Sequence, residues 1–168
     1  YDTYGNVNST TLKGSNTKSI VSSATYTGNG NRAATVTDSA GNTVTYAYST
    51  GGMFEMLGQP SSVTDPKGTK TEYSLDSLGR VSEVEVLNSQ LANLASLAYT
   101  YSNGMLSELT RTAGTASQIY SFAYDAFGNS TGIYIGSGNS KITLAEYVYA
   151  EANGLLQSQT YGNDDKVV

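Results

Sequence analysis

One phrase recurs along the whole chain, and no other feature restricts its fold as strongly: an aromatic strand followed by a turn that runs from Asp to Gly. The fullest copy is Tyr120-Ser121-Phe122-Ala123-Tyr124-Asp125-Ala126-Phe127-Gly128-Asn129. In an extended segment Tyr120, Phe122 and Tyr124 share one face, because side chains alternate with period two. Asp125 then opens a reversal that closes on Gly128-Asn129, residue types that tolerate left-handed backbone. Tyr1-Asp2-Thr3-Tyr4-Gly5-Asn6 repeats the phrase, and looser copies stand at Tyr26–Asn31, Tyr48–Gly52, Asp76–Val81, Tyr101–Leu106, Tyr149–Leu155 and Tyr161–Asn163. Taking Gly5, Gly30, Gly52, Gly79, Gly104, Gly128 and Gly154 as markers, neighbours lie roughly 22 to 27 residues apart, a repeat-array period. Thr37–Asn42 and Thr64–Gly68 add turns about halfway between markers, so each period holds two strands and two turns, one hairpin per repeat.

The segments between turns agree with strands. Val44, Tyr46 and Tyr48 alternate with Thr43, Thr45 and Ala47, and Leu97, Tyr99 and Tyr101 with Ala98 and Thr100. Val84 and Val86 face opposite to Glu83 and Glu85, which places those charges on a solvent side. Asp65-Pro66-Lys67-Gly68 has Pro second and Gly fourth, as a type I turn requires. Between Ile142/Leu144 and Tyr147/Tyr149 the apolar phase slips, and a bulge or a turn accounts for it. Leu87, Leu91, Leu94 and Ala98 fall at helical spacing, but the tyrosine strand resumes in register at Leu97. Residues 88–96 are therefore read as a longer inserted hairpin loop in preference to a short helix. Met53-Phe54-Glu55-Met56-Leu57 is read as a strand edge.

Composition removes several classes of function. The chain of 168 residues has no histidine and no cysteine. The usual general base, the Ser-His-Asp and Cys-His arrangements, imidazole and thiolate metal sites and disulfides are all excluded together. A net charge of −5 without any Lys/Arg cluster disfavours nucleic acid. No apolar run of about eighteen residues exists, so no helical membrane span is expected. The chain begins inside a repeat and is expected to be a piece of a longer protein.

With these phrases set out, the chain resembles the RHS/YD-repeat family of large secreted or cell-surface proteins. The resemblance rests on Tyr-Asp-x-x-Gly-Asn at Tyr1 and Tyr124, on Asp76–Val81 and on Asp65–Gly68. It implies an all-β array of about six or seven tandem antiparallel hairpins over residues 1–168. That array would form one curved sheet, a segment of a spiral or barrel-like shell. In bacterial toxins of this family the shell encloses a C-terminal effector, and related shells of teneurin-like and wall-associated proteins stand outside the cell. The expected function is accordingly a structural wall segment without catalysis or cofactor, whose partners are the rest of the shell and its effector. Open sheet edges imply self-association by edge pairing.

Two other readings compete. Exposed tyrosine rows suit carbohydrate rings, which makes Tyr46, Tyr48, Tyr99 and Tyr101 the candidates for a glycan- or cell-surface-binding module. The structural alternative treats the same rows as cross-strand ladders worth roughly 0.2–1 kcal/mol per pair. A hydrolase would need two of the turn acids Asp2, Asp38, Asp65, Asp76 and Asp125 within about 5–10 Å in a cleft, whereas Asp at a turn start is selected to accept backbone N–H bonds. Glu72 with Asp76, and Asp164 with Asp165, are the tight acidic pairs, and neither sits in a recognisable motif. Gly28–Asn31 and Gly136–Asn139 lack the strand–loop–helix context of a phosphate loop and are read as turns. Asn8-Ser9-Thr10 and Asn129-Ser130-Thr131 fit the glycan-acceptor pattern, which matters only in a eukaryotic secretory host.

Overall fold

The computed structural model describes residues 1–14, 18–162 and the backbone of 166–167. The chain divides into two compact units, Tyr1–Leu94 and Ala95–Val168. The first contains β1 (Ser9–Lys13), β2 (Ser19–Tyr26), β3 (Ala33–Thr37), β4 (Thr43–Ala47), α1 (Gly52–Leu57), β5 (Ser62–Thr64), β6 (Lys70–Leu75) and β7 (Val81–Leu87). The division falls inside β8 (Asn93–Ser102). The second unit continues with β9 (Met105–Ala113), β10 (Ala116–Tyr124), β11 (Ser130–Ile135), a 3-10 turn at Gly138–Ser140, β12 (Ile142–Tyr149), β13 (Leu156–Tyr161) and β14 (Lys166–Val167). Within each unit every strand pairs antiparallel with the next in sequence, so both are open meanders of hairpins. The all-β antiparallel architecture expected from the repeats is the one observed.

Neither unit has a thick core. Among the described residues the buried apolar side chains are Tyr134 and Ala145, joined by the buried hydroxyls of Ser62 and Ser158. A single sheet layer gives each side chain lateral neighbours only, so cohesion comes from cross-strand rows. In the second unit one row runs Tyr99–Leu109–Tyr120–Ile135–Ile142 across five strands. In the first, Tyr46 faces Val63, which faces Thr71, which faces Val86. Within each unit the rings are registered against aliphatic, small or amide side chains, not against other rings. The opposite face of the first unit carries Thr25, Thr35, Thr45 and Thr64 in one row. There the Thr25 and Thr35 hydroxyls lie 2.6 Å apart.

Successive turns alternate between the two edges of a meander, which explains why the marker glycines are two strands apart. The marker edge has a second signature. Each of its hairpins β2–β3, β6–β7, β8–β9, β10–β11 and β12–β13 carries a register shift close to the turn, which leaves Ala34, Ser82, Ser107, Thr131 and Gln157 as extra residues. Such bulges bend the strand and increase its local twist. The hairpin β4–β5 keeps plain register, and there the connection carries α1 instead. The phase slip expected near 142–149 is likewise a bulge, with Leu144 as the extra residue opposite Ile133 and Tyr134.

Two local expectations are corrected. Met53–Leu57 is not a strand edge: α1 covers Gly52–Leu57. Its Met, Glu and Leu are good helix formers, and Gly58, at φ 69°, ends the helix in left-handed conformation. The Glu55 carboxylate accepts the Gly51 N–H, and Met53 and Leu57, one turn apart, lie beside Gly79. The marker Gly52 thus starts a helix, while Gly5, Gly30, Gly79, Gly104, Gly128 and Gly154 are turn residues with φ between 67° and 87°. Residues 88–96 form no long inserted loop. A five-residue turn spans Asn88–Ala92 and β8 resumes at Asn93. The helical leucine spacing there reflects turn placement, with Leu91 in a left-handed position (φ 61°) that most turns give to Gly.

Candidate functional site

The turn that defines the repeat is built from Asp outward. In Asp125–Asn129 the Gly128 N–H donates to the Asp125 carbonyl at 3.1 Å and the Asp125 N–H to the Asn129 carbonyl at 3.0 Å. This is a type I turn followed by a left-handed residue, a common three-residue hairpin loop. The Asp125 side chain then completes it. Oδ1 accepts the N–H groups of Phe127 and Asn129, each at 2.9 Å, and Oδ2 accepts the Asn129 amide at 2.9 Å. Asp2 and Asp38 repeat this pattern with Asn6 and Asn42. Asp76 uses the Arg80 Nε at 2.7 Å, and Asp65 bonds the Lys67 and Thr69 N–H groups. Asn88 does the same with its Oδ1 toward Gln90 and Ala92. The side-chain amides of Asn6, Asn42 and Asn129 hold the carboxyls of Asp2, Asp38 and Asp125 below the usual aspartate range, helped by the turn N–H groups. For Asp76 the largest influence is burial, which raises the value, but the Arg80 N–H, its side chain and its charge together outweigh it. The turn acids are thus occupied one per turn by their own backbone. Glu72 pairs with Lys70 and Asp76 with Arg80, so the pair suggested by the sequence is divided between two partners. Asn163, Asp164 and Asp165 lie outside the described residues.

The tyrosine of the phrase ties hairpins sideways. The Tyr26 hydroxyl donates to the Val7 carbonyl and the Tyr48 hydroxyl to the Ala33 carbonyl, both at 3.0 Å, each reaching the strand or loop before its own. Arg32 stacks 5.2 Å from the Tyr48 ring centre and donates to the Glu55 carbonyl, anchoring the α1 connection. At the chain start Tyr4 crosses from one marker-edge turn to the next. Its hydroxyl donates to the Gly28 carbonyl at 2.9 Å, and its ring occupies the space where a Cβ on Gly30 would stand. Asn6 donates to the Gly30 carbonyl at 2.7 Å beside it.

Of the four tyrosines singled out by sequence, Tyr46 and Tyr48 belong to the first unit and Tyr99 and Tyr101 to the second. All four are half-buried. Tyr46, Tyr99 and Tyr101 face Val63, Leu109 and Leu106 in their strand pairs, and Tyr48 has the bonds just described. Two features of the second unit escaped the sequence. Tyr134 leans along β11 over Gly132, whose missing Cβ makes the room, while Lys141 sits 3.7 Å from its ring centre. Burial, then the charge of Glu146 and a hydrogen bond to it, raise the Tyr134 phenol above its ordinary value. The other feature is a cleft of about 740 Å³ between the 125–129 and 150–154 turns, lined by Phe127, Tyr147, Val148 and Tyr149 with Asp125 and Glu151. Phe127 holds the turn position that Tyr4 and Leu78 hold in the first unit, a correspondence visible in the sequence once the turns are aligned. Among the described residues no group of three or more acids is placed to hold a metal.

Asp-anchored turns and bulged antiparallel hairpins define an array of β-hairpin repeats. Residues 56–87 match the family model for the RHS repeat. The crystal structure of TcdB2-TccC3 without its hypervariable C-terminal region superposes on 94% of this chain with a TM-score of 0.64 at 17% identity. That of TcdB2-TccC3-TEV superposes on 85% with a TM-score of 0.61 at 20% identity. The chain spans 9% and 7% of those two chains, and the likeness is one of fold. No curated protein matches the sequence.

Proposed function

We propose that the chain is a non-catalytic wall segment of a large secreted or cell-surface RHS/YD-repeat protein. Its hairpins, running as one array through residues 1–168, form part of a curved β-shell that encloses or displays a C-terminal effector. The observation that carries this reading is the construction itself: open meanders with almost no buried core among the described residues, matched over 94% of the chain by part of a TcdB2-TccC3 chain. Bulges repeated beside the marker turns within each unit support curvature, because each adds twist in the same place in its hairpin. Aspartates consumed by their own turns support a role without catalysis. The partners in this reading are the rest of the shell and its effector, with edge pairing between copies as a further contact.

The test is limited proteolysis of the full-length parent protein. Its C-terminal segment is expected to resist trypsin while the wall is intact and to become cleavable when residues 56–87 are deleted. Equal digestion rates in both proteins would remove the enclosure reading. Glycan or cell-surface recognition through Tyr46, Tyr48, Tyr99 and Tyr101 is the second reading, supported by the partial exposure of all four rings. A glycan array decides it: binding abolished by changing the four to Ala, with the β-sheet spectrum retained, favours that reading over the ladder.

A further inference from the structure

The cleft of the second unit has a counterpart in the first that shows what such a gap accepts. Where two neighbouring marker-edge turns meet in the first unit, the gap takes the Tyr4 ring, which lies against Gly30, donates to the Gly28 carbonyl and stays 62% exposed. In the second unit Phe127 occupies the same position of its turn yet is 88% exposed, and the gap beside it stays open at about 740 Å³. The turn at 150–155 has the same length as the one at 27–32. However, its left-handed glycine comes one residue later: Gly154 donates to Ala150, four residues back, whereas Gly30 donates to Thr27, three back. The seat that Gly30 offers is therefore missing, and the ring at the turn tip lines an open cleft.

The chemistry of this cleft is one-sided. Three rings (Phe127, Tyr147 and Tyr149) and Val148 supply apolar surface, and Asp125 and Glu151 supply carboxylates. No Lys or Arg lines it. Asp125 is held ionised by the Asn129 amide and turn N–H groups, so its bonding capacity is spent inside the turn while its charge remains. Glu151 is exposed at the rim and has no such commitment among the described bonds. Ring faces attract cations by roughly 0.5–2 kcal/mol, and an ionised carboxylate nearby adds to the same preference.

We propose that the cleft between the 125–129 and 150–154 turns is a docking site for a basic peptide segment. An apolar side chain of the segment would lie against Phe127 and Val148, with a Lys or Arg side chain directed to the rings and Glu151. The occupant follows from charge complementarity, and the seated Tyr4 shows that a gap of this kind accepts a bulky side chain.

The experiment is an NMR titration of the 168-residue protein with the capped peptide acetyl-Leu-Arg-Ala-Leu-Lys-amide, using acetyl-Leu-Glu-Ala-Leu-Glu-amide as control. The basic peptide is expected to move amide signals of residues 125–131 and 147–154, and the acidic one to leave them unchanged. Glu151→Gln and Phe127→Ala are each expected to weaken binding by about tenfold and to leave the signals of residues 96–113 in place. Raising salt should weaken the wild-type complex. Equal binding of both peptides, shifts confined to other residues, or no shifts with either peptide would each overturn the proposal. So would full affinity in both variants.

Discussion

The hairpin β1–β2 and the hairpin β11–β12 share a topology and differ in almost everything that holds them. Every residue of β1 is exposed, as is most of β2, with Leu12, Ile20 and Val21 open to solvent. On β11 no residue is exposed, and β12 contributes the buried Ala145. Sequence explains the contrast through side-chain reach. β1 reads Ser-Thr-Thr-Leu-Lys and spreads little over its neighbours, so the adjacent turns supply the polar ties of Tyr4, Asn6 and Tyr26. β11 reads Ser-Thr-Gly-Ile-Tyr-Ile, and its ring folds back over its own glycine, where Lys141 and Glu146 close around it. In a one-layer sheet, burial is made locally, by a large side chain lying across a small one.

Removing that ring breaks the contrast most severely. Tyr134→Ala is expected to destabilise the second unit by about 3 kcal/mol, as loss of a buried aromatic ring does. Tyr134→Phe keeps the ring over Gly132 and loses the link to Glu146, about 1 kcal/mol. Urea unfolding followed by resolved amide signals of β10–β12 measures both. If the two substitutions cost the same, the ring is not what buries β11. Gly132→Ala tests the same geometry from the other side: its Cβ would overlap the Tyr134 hydroxyl end, so it should resemble Tyr134→Ala in direction.

The turns come next in size, and the turns that lead toward β1 and into β11 should behave alike because Asp2 and Asp125 make the same bonds. Asp125→Ala removes three acceptor contacts and should lower the melting temperature clearly, though less than Tyr134→Ala. Asp125→Asn should cost much less, since Asn88 already makes both Oδ1 bonds in its own turn at 2.9 Å. Acid provides an independent check. The carboxyls of Asp2, Asp38, Asp76 and Asp125 titrate below the ordinary 3.8 when folded, so the unfolded chain binds protons first as pH falls. Their contribution is complete above about pH 5, declines as pH drops below about 4, and is lost once pH passes the folded values. A melting temperature flat between pH 5 and 7 and falling below pH 4 is expected, with a shallower fall in Asp38→Asn. A profile unchanged by that substitution would mean that Asp38 is not among the linked groups.

How much of this was legible depended on whether a feature repeats. Asp125, Gly128 and Asn129 announce their turn because the same types recur at Asp2, Gly5 and Asn6, and the bulge at Leu144 appeared as a slip in apolar phase. α1 was misread because Met53–Leu57 occurs once, in place of a bulge, and five apolar-rich residues carry no period of their own. The Tyr134 cluster and the cleft were invisible for a different reason. Both depend on which residue of the next strand stands opposite, and bulges at Thr131, Leu144 and Gln157 shift that partner by one each time.

The smallest expected effect is a gain. Leu91 occupies the left-handed position that Gly fills in the Asp2, Asp38, Asp65, Asp76 and Asp125 turns, at φ 61° and 65% exposed. For a residue with a Cβ that conformation costs roughly 1–2 kcal/mol, and exposure leaves its side chain little packing to offset the cost. Glycine removes the strain but adds backbone freedom to the unfolded chain, roughly 0.5–1 kcal/mol. Leu91→Gly should therefore stabilise the first unit by up to about 1 kcal/mol. A matched Gly68→Leu in the Asp65 turn should destabilise by at least as much, because Gly68 is at φ 84° and a Cβ there would stand 3.0 Å from that of Ser89. Urea unfolding of the two single variants and the double exchange decides the point. A loss of stability in Leu91→Gly would show that Leu91 contributes packing at that edge, and the equivalence drawn between the Asn88 turn and the aspartate turns would then fail.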